Sequence, residues 1–299
     1  MKRLVYFLSL LLISQFLPAQ NNESYKVSVE NWHANRIQDL KKENGWLNLE
    51  GLFWLHKGKN TFGSAQQNDC FFDNKNFPPH LGDFILEGDS VVWVNQIDKG
   101  ALVNDQQIAK SKKVTVFKWT SDNEEAAIFT FKRFTWVVIK REDKIGIRFR
   151  NLDAKTLTDF KGIERFPVDP KWKLKAVLEK PAESFLMISN VLGQTTAQKN
   201  AGKLKFEIEG VTYSLDVIDE GGGTFFITFA DATSGKSTYG AGRFIVVNKP
   251  DANGHTEIDF NLAYNPPCAF TAFATCPLPP PQNRLSIAIN AGEKNFGHH

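Results

Sequence analysis

Between Tyr25 and Glu43 the apolar positions Val29, Trp32, Ile37 and Leu40 recur every three to five residues, and Asn44-Gly45 follows as a stop signal. That spacing predicts one amphipathic helix whose apolar stripe packs on a sheet. After Gly45 the period shortens to two. Ile145, Ile147 and Phe149 alternate with Gly146, Arg148 and Arg150, as in a strand with one buried face. The same alternation predicts strands over 46–56, 83–86, 91–94, 114–117, 128–131, 135–140 and 145–150, with residues 57–60 as a turn. The clearest hairpin comes later. Leu204, Phe206 and Ile208 alternate, Glu209-Gly210 turns, and Tyr213, Leu215 and Val217 alternate again. Further strands are expected over 225–230, 242–247, 256–262 and 285–289.

Many short strands with turns every 8–12 residues predict a mainly β fold: antiparallel sandwich- or barrel-like halves with one N-terminal α-helix. Regular strand–helix alternation is absent, which argues against a Rossmann-type sheet. Residues 161–173, KGIERFPVDPKWK, interrupt the strand rhythm with two prolines and read as a crossing between halves. The organisation expected is a leader over 1–19, a helix segment over 20–44, a first, sandwich-like β domain over 45–165, and a second β domain over 166–299. The length of 299 residues agrees with two domains.

The leader changes the picture of location. Lys2 and Arg3 precede a 14-residue apolar run from Leu4 to Leu17, and Leu17-Pro18-Ala19 ends on a small residue suited to cleavage before Gln20. The run is shorter than the roughly 20 residues a spanning helix needs. The protein is therefore expected to be exported, to a periplasm or the medium, with no membrane span. Losing Lys2 and Arg3 lowers the formal charge from +3 to +1. A near-neutral chain argues against nucleic acid as a partner. A small molecule is the partner expected, and no cofactor is. The oligomeric state is not legible.

Three cysteines remain: Cys70, Cys268 and Cys276. Cys70, beside Phe71 and Phe72, reads as a buried thiol. Cys268 and Cys276 lie in NPPCAFTAFATCPLPPPQNRL, which is too rich in proline for a helix or a central strand. In an oxidising compartment a Cys268–Cys276 disulfide would clip this loop. Two buried thiols, a redox or nucleophilic pair, and a thiolate metal site are the other readings. The spacing of eight and the lack of a histidine inside the segment disfavour metal, and no metal site is expected.

Two arginines stand in motifs with little other charge. Arg243 follows Gly240-Ala241-Gly242, and Arg284 follows the proline run. A guanidinium fork suits carboxylate or phosphate. Arg243 and Arg284 could line one ligand pocket with Tyr239, Asn261, Tyr264 and Asn265; the other reading is a buried ion pair with Asp259, Glu257 or Glu293. Glu257, Asp259 and Asn261 alternate along one strand face. Paired carboxylates there would suit acid–base work, although a solvated face is the commoner arrangement. Glu257, Asp259 and Cys268 are the candidate catalytic groups. The stretch ADATSGKS over 230–237 lacks the first glycine of a phosphate loop and reads as a turn. Neither H-E-x-x-H nor G-x-S-x-G occurs.

The series TYGAGRF (238–244), DFNLAYNPPCAF (259–270), TCPLPPPQNRL (275–285) and AGEK (291–294), with GWLNLEGLFWL (45–55) and FPVDPKW (166–172), resembles the domain of unknown function 1684 family of bacteria and archaea. The resemblance runs over about residues 32–296 and implies a shared architecture without an assigned activity. In the first half, GKNTFGSAQQNDCFF followed by VNDQQI resembles the forkhead-associated sandwich. Ser64 stands where that family's phosphate-binding arginine falls, and its Ser-x-x-His is missing, so the resemblance implies the β-sandwich shape and not phosphothreonine reading. The function expected is binding of a small anionic or polar ligand in the second β domain. The alternatives are a hydrolase-type enzyme using the same pocket and a structural envelope protein.

Overall fold

The computed structural model describes residues 16–120 and 124–296. Most of the expected leader, residues 1–15, lies outside them. The chain forms two compact units. One comprises residues 40–160 and 271–274; the other takes the helix up to Asp39, residues 161–270, and the chain from Thr275 on. The division thus falls at 160/161, and the helix belongs mainly with the C-terminal strands. Among the described residues, no helix is long and apolar enough to cross a membrane.

The N-terminal unit holds strands β1 (Leu49–Trp54), β2 (Gly58–Gly63), β3 (Cys70–Phe71), β4 (Gly82–Glu87), β5 (Ser90–Asn95), β6 (Leu102–Val103), β7 (Gln106–Gln107), β8 (Lys113–Trp119), β9 (Glu124–Ala126), β10 (Ile128–Phe131), β11 (Phe134–Arg141) and β12 (Lys144–Asn151). They form two sheets, ordered β1-β12-β11-β10-β6-β7 and β3-β2-β4-β5-β8-β9. Pairing is antiparallel except for the short β2–β3 contact. The inward faces meet through aromatic rings. Phe62 of one sheet lies 5.3 Å from Trp136 and 5.7 Å from Phe149 of the other, and Phe84 lies 5.6 Å from Phe129. Edge-to-face contacts of this kind add to area burial. Cys70 belongs to this core, where burial, then the neighbouring Asp69, pushes its thiol up to about 12. The segment 57–60, expected as a turn, mostly belongs to β2. Its polar Asn60 is turned inward, donating to the carbonyls of His56 and Gly58 and accepting from the His56 N–H. A one-turn helix over Lys155–Thr158 was not expected.

The C-terminal unit holds α1 (Phe16–Lys41, up to Asp39) and strands β13 (Lys173–Glu179), β14 (Phe185–Ser189), β15 (Thr195–Ile208), β16 (Val211–Ile218), β17 (Thr224–Phe229), β18 (Arg243–Asn248) and β19 (His255–Asp259). The sheet order is β18-β17-β16-β15-β13-β19, with β14 paired to the outer half of β15. The two ends approach each other: Phe244 of β18 exchanges both main-chain hydrogen bonds with Tyr264, five residues beyond β19. Such closure shields strand edges. The expected Ile208–Val211 hairpin is present, with Glu209 and Gly210 both at positive φ. On α1, Val29, His33 and Leu40 are buried and Trp32, Arg36 and Ile37 half-buried, the predicted stripe.

Two strand expectations needed correction here. Residues 256–262 are not one strand: β19 stops at Asp259, whose carboxylate accepts from the Asn261 N–H and starts a 3₁₀ turn over Phe260–Leu262. Residues 285–289 form no strand; they bend at Ser286 and Ile287 and make single bonds to the segment after β17, through Leu285 N to Ala230 O and Ala232 N to Ile287 O. Sequence reading marked no strand over β13, β14 or the first half of β15; in the last, TTAQKN is polar on both faces and a bulge between Asn200 and Gly202 shifts the register.

Phe62 touches six other rings from the centre of the N-terminal core. Phe62→Ala is expected to cost about 3–5 kcal/mol of stability, read as a lowered denaturant midpoint. A loss below about 1 kcal/mol would mean the cluster is not the core of this unit.

Candidate functional site

The TYGAGRF and AGEK motifs meet around one guanidinium. Arg243, 0% exposed, donates through Nη2 to Asp231 Oδ2 (2.8 Å) and Ile289 O (3.0 Å), and through Nη1 to Glu293 O (3.3 Å) and Ala291 O. The guanidinium also lies 5.3 Å over the Phe229 ring. Burial pulls its pKa down and Asp231 opposes that. One glycine in each motif is dictated by close approach. A Cβ on Gly242 (φ +92°) would sit 2.5 Å from Phe229 O, and one on Gly292 (φ +74°) 2.4 Å from Ala263 O. Arg243 is therefore a core ion pair, with Asp231 as the acid rather than any of the three expected. It is enclosed and not offered to a ligand, which corrects the pocket expectation. Arg284 is exposed, on a segment bridged to Ala230, so the two arginines do not share a pocket.

A second buried acid lies beside the first pair. Glu293, 1% exposed, accepts from Arg36 Nε at 2.6 Å and from Asn265 N at 2.7 Å. Arg36 reaches it from α1, donates on to Asn265 O (2.8 Å), and stacks 4.4 Å over Tyr264. Burial pushes the Tyr264 hydroxyl up to about 12. Asn265 is fully buried, its amide donating to Lys294 O at 2.8 Å. His33 Nδ1 lies 3.9 Å from Glu293 Oε1; burial lowers the His33 pKa, with Glu293 opposing. Tyr264 and Asn265 thus pack around Glu293 and Arg36.

Asp259 and Asn261 form a third node. Asp259 Oδ2 accepts from Tyr25 of α1 at 2.7 Å, and Asn261 Nδ2 donates to the same hydroxyl at 2.9 Å. Asn261 also brackets Asp169, accepting from its N–H and donating to its carbonyl. Burial first, then the Asp259 bond, raises the Tyr25 pKa. Glu257 is exposed and paired with Lys173 at 3.0 Å. The two carboxylates have separate partners, so they form no acid–base pair.

The proline loop brings Tyr239 to Cys268, whose carbonyl accepts the Tyr239 hydroxyl at 3.1 Å. Burial, then the cysteines, raises the Tyr239 pKa. No disulfide joins Cys268 and Cys276 in this structure. Cys276 Sγ instead accepts from Cys268 N at 3.0 Å. A hydrogen bond with the Cys276 side chain, opposed by burial, holds the Cys268 thiol below its ordinary pKa. Among the described residues, no group of three His, Cys, Asp or Glu side chains could hold a metal ion.

Further along the loop, Asn283 is buried and bonds like a strand neighbour. It accepts from Asp216 N (2.7 Å) and donates to Asp216 O (2.9 Å) and Thr228 O (3.0 Å). This fixes the adjoining Gln282 as one wall of a cavity of about 460 Å³, whose other walls include Glu179, Glu183, Asn200, Lys203 and Asp216. Sequence reading passed over every one of these residues. The only signal was the interrupted alternation around Asn200. It also passed over Asp231, inside the stretch dismissed as a turn.

The class of protein is now defined: two antiparallel β units, the second nearly closed and bearing a buried helix contact and a cysteine- and proline-rich loop. Residues 158–294 match the family described as Protein of unknown function (DUF1684), and the chain belongs to it. An uncharacterised protein of Haloarcula marismortui, known from a solution NMR structure, is 31% identical over 46% of this chain and 78% of its own, with a TM-score of 0.39. The 1–466 portion of Rad53, solved in complex with AMP-PNP, is 11% identical over 75% of this chain and 49% of its own, with a TM-score of 0.19. At such TM-scores neither supports a structural argument; membership rests on the family match and the 31% identity. No curated protein matches the chain.

Arg243→Ala is expected to cost about 3–5 kcal/mol, since it leaves Asp231 buried without its cation. Arg243→Lys should not restore this, because an ammonium lacks the fork that reaches three carbonyls and a carboxylate. Urea unfolding of both variants checks it; stability near wild type for Arg243→Ala would refute the core role. His33 sets a pH dependence. Its folded pKa is lowered, so below about 6.5 the unfolded chain takes up a proton that the folded one resists. Stability should fall as pH drops below that value, and His33→Gln should flatten the slope in the urea midpoint between pH 7.5 and the acid side.

Proposed function

We propose that this protein is exported and that its C-terminal β unit binds a small polar ligand carrying both a cationic and an anionic group. The observation that carries the reading is the cavity beside Gln282. Its volume falls within the range of small-molecule sites, roughly 300–1,000 Å³. Its lining is mixed in charge: carboxylates from Glu179, Glu183 and Asp216, ammonium groups from Lys180 and Lys203, and amides from Asn200 and Gln282. Asp216 is the one carboxylate of the set that is buried, and Lys203 stands 3.8 Å from it. That loose pair leaves a buried carboxylate able to accept a ligand ammonium, while Lys203 and Lys180 face its acid. The anionic part of the expected ligand is retained, with lysines in place of Arg243. Export is supported by the basic start, the apolar run to Leu17 and Ala19.

The reading is tested by calorimetric titration of the full chain with a panel of amino acids and dipeptides, and with monosaccharides as a control. At least one zwitterion should bind. Asp216→Asn should weaken that binding at least about tenfold, as expected for loss of a charge-assisted bond, with the thermal midpoint shifted little. Silence of the whole zwitterion panel, or binding that Asp216→Asn leaves unchanged, would defeat the proposal. Export is read separately, by sequencing the N-terminus of protein recovered outside the cytoplasm. A start at Gln20 is expected, and an intact Met1 is the opposing result.

A further inference from the structure

We propose that Cys268 and Cys276 form a reactive dithiol that exchanges with small-molecule disulfides, with Cys268 as the attacking sulfur and Cys276 as the resolving one. The placement of the two residues carries this. Cys276 Sγ lies 3.0 Å from the main-chain nitrogen of Cys268, so the second sulfur is already beside the first residue's backbone. Cys268 is half-buried, whereas Cys276 is 3% exposed. That asymmetry suits a pair in which one sulfur meets the incoming disulfide and the other waits behind it.

The surrounding backbone is held on both sides. Pro266 and Pro267 precede Cys268, and Pro277 follows Cys276. The Cys268 carbonyl accepts from Tyr239. The Cys276 carbonyl accepts from Val191 N at 3.1 Å, and Leu278 N donates to Ser189 O at 2.7 Å, both on the chain that ends β14. This frame holds Cys276 Sγ beside the Cys268 main chain. The lowered pKa of Cys268 favours the thiolate, which is the attacking form. Cys70 provides an internal control, since burial keeps it protonated.

The exchange balances with oxidised glutathione as the oxidant. The Cys268 thiolate attacks one sulfur of glutathione disulfide; that S–S bond breaks and one glutathione leaves as a thiolate, which takes a proton from solvent. Cys276 then gives its proton to solvent and attacks the Cys268 sulfur. The mixed disulfide breaks, the second glutathione leaves, and the Cys268–Cys276 bond forms. Two electrons pass from the pair to the glutathione disulfide.

The test equilibrates the folded full chain in buffers of rising oxidised-to-reduced glutathione ratio, quenches by alkylation, and counts thiols by mass. Three thiols should fall to one in a single step, Cys70 should remain, and excess reduced glutathione should restore all three. In Cys276→Ser the exchange should stall after the first half-reaction, leaving one glutathione per chain on Cys268. With wild type alone, Cys268 should alkylate at neutral pH at least about ten times faster than Cys70. Three thiols persisting under oxidised glutathione would overturn the proposal. So would a bond that excess reduced glutathione cannot reopen, which would make the pair a permanent clip, or an adduct on Cys70.

Discussion

A guanidinium with no exposure to water has to find acceptors, and in this protein that need organises the C-terminal unit. Arg243 takes one carboxylate, Asp231, and the carbonyls of Ile289, Ala291 and Glu293. Those carbonyls belong to a stretch outside the named strands, which pairs with the chain through a short bridge between Glu293 and Arg165. The arginine thus adds to the main-chain bonds from Phe166 and to Glu164 that hold the chain end in place. It costs desolvation, which Asp231 and the carbonyls offset together. Once residues 289–293 are fixed, so is the Glu293 carboxylate, and Glu293 in turn takes Arg36 and the Asn265 N–H. The docking of α1 is therefore a consequence of the burial of Arg243, two links removed. Tyr25, at the other end of the helix, repeats the device with Asp259.

The proline-rich loop obeys a related constraint. Proline supplies no N–H, so a loop built from it cannot satisfy its neighbours through a ladder. Asn283 does this instead, presenting a side-chain amide to both main-chain groups of Asp216. The result is a stiff segment with two working ends. Gln282 stands at the cavity and Cys276 stands at Cys268. The constraint at both ends follows from the same composition.

How much of this was legible varied with the type of interaction. The Leu204–Val217 hairpin was readable residue by residue, because alternation and a Glu-Gly turn are local. The helix stripe was readable for the same reason. The stretch 57–60 was misread because Asn60 looks polar but satisfies itself inside the sheet. Arg243 was singled out for good cause, as an isolated charge among glycines, yet its partner was not. Asp231 sits twelve positions upstream in a segment that reads as an ordinary turn, and it is one: its other oxygen accepts from Thr233 N.

The chain by itself determined the β class, the single long helix, the hairpin and the rigidity of the proline loop, because period, turn chemistry and missing N–H groups act over a few residues. The family membership was also written in its motifs. Only the tertiary structure decided the partners of the buried charges, the separation of Arg243 from Arg284, and the cavity wall at Gln282. Those depend on which distant backbones are brought within hydrogen-bond reach. No local pattern encodes that: a guanidinium obliged to be satisfied is the same in sequence whether it meets a ligand, Glu257 or Asp231.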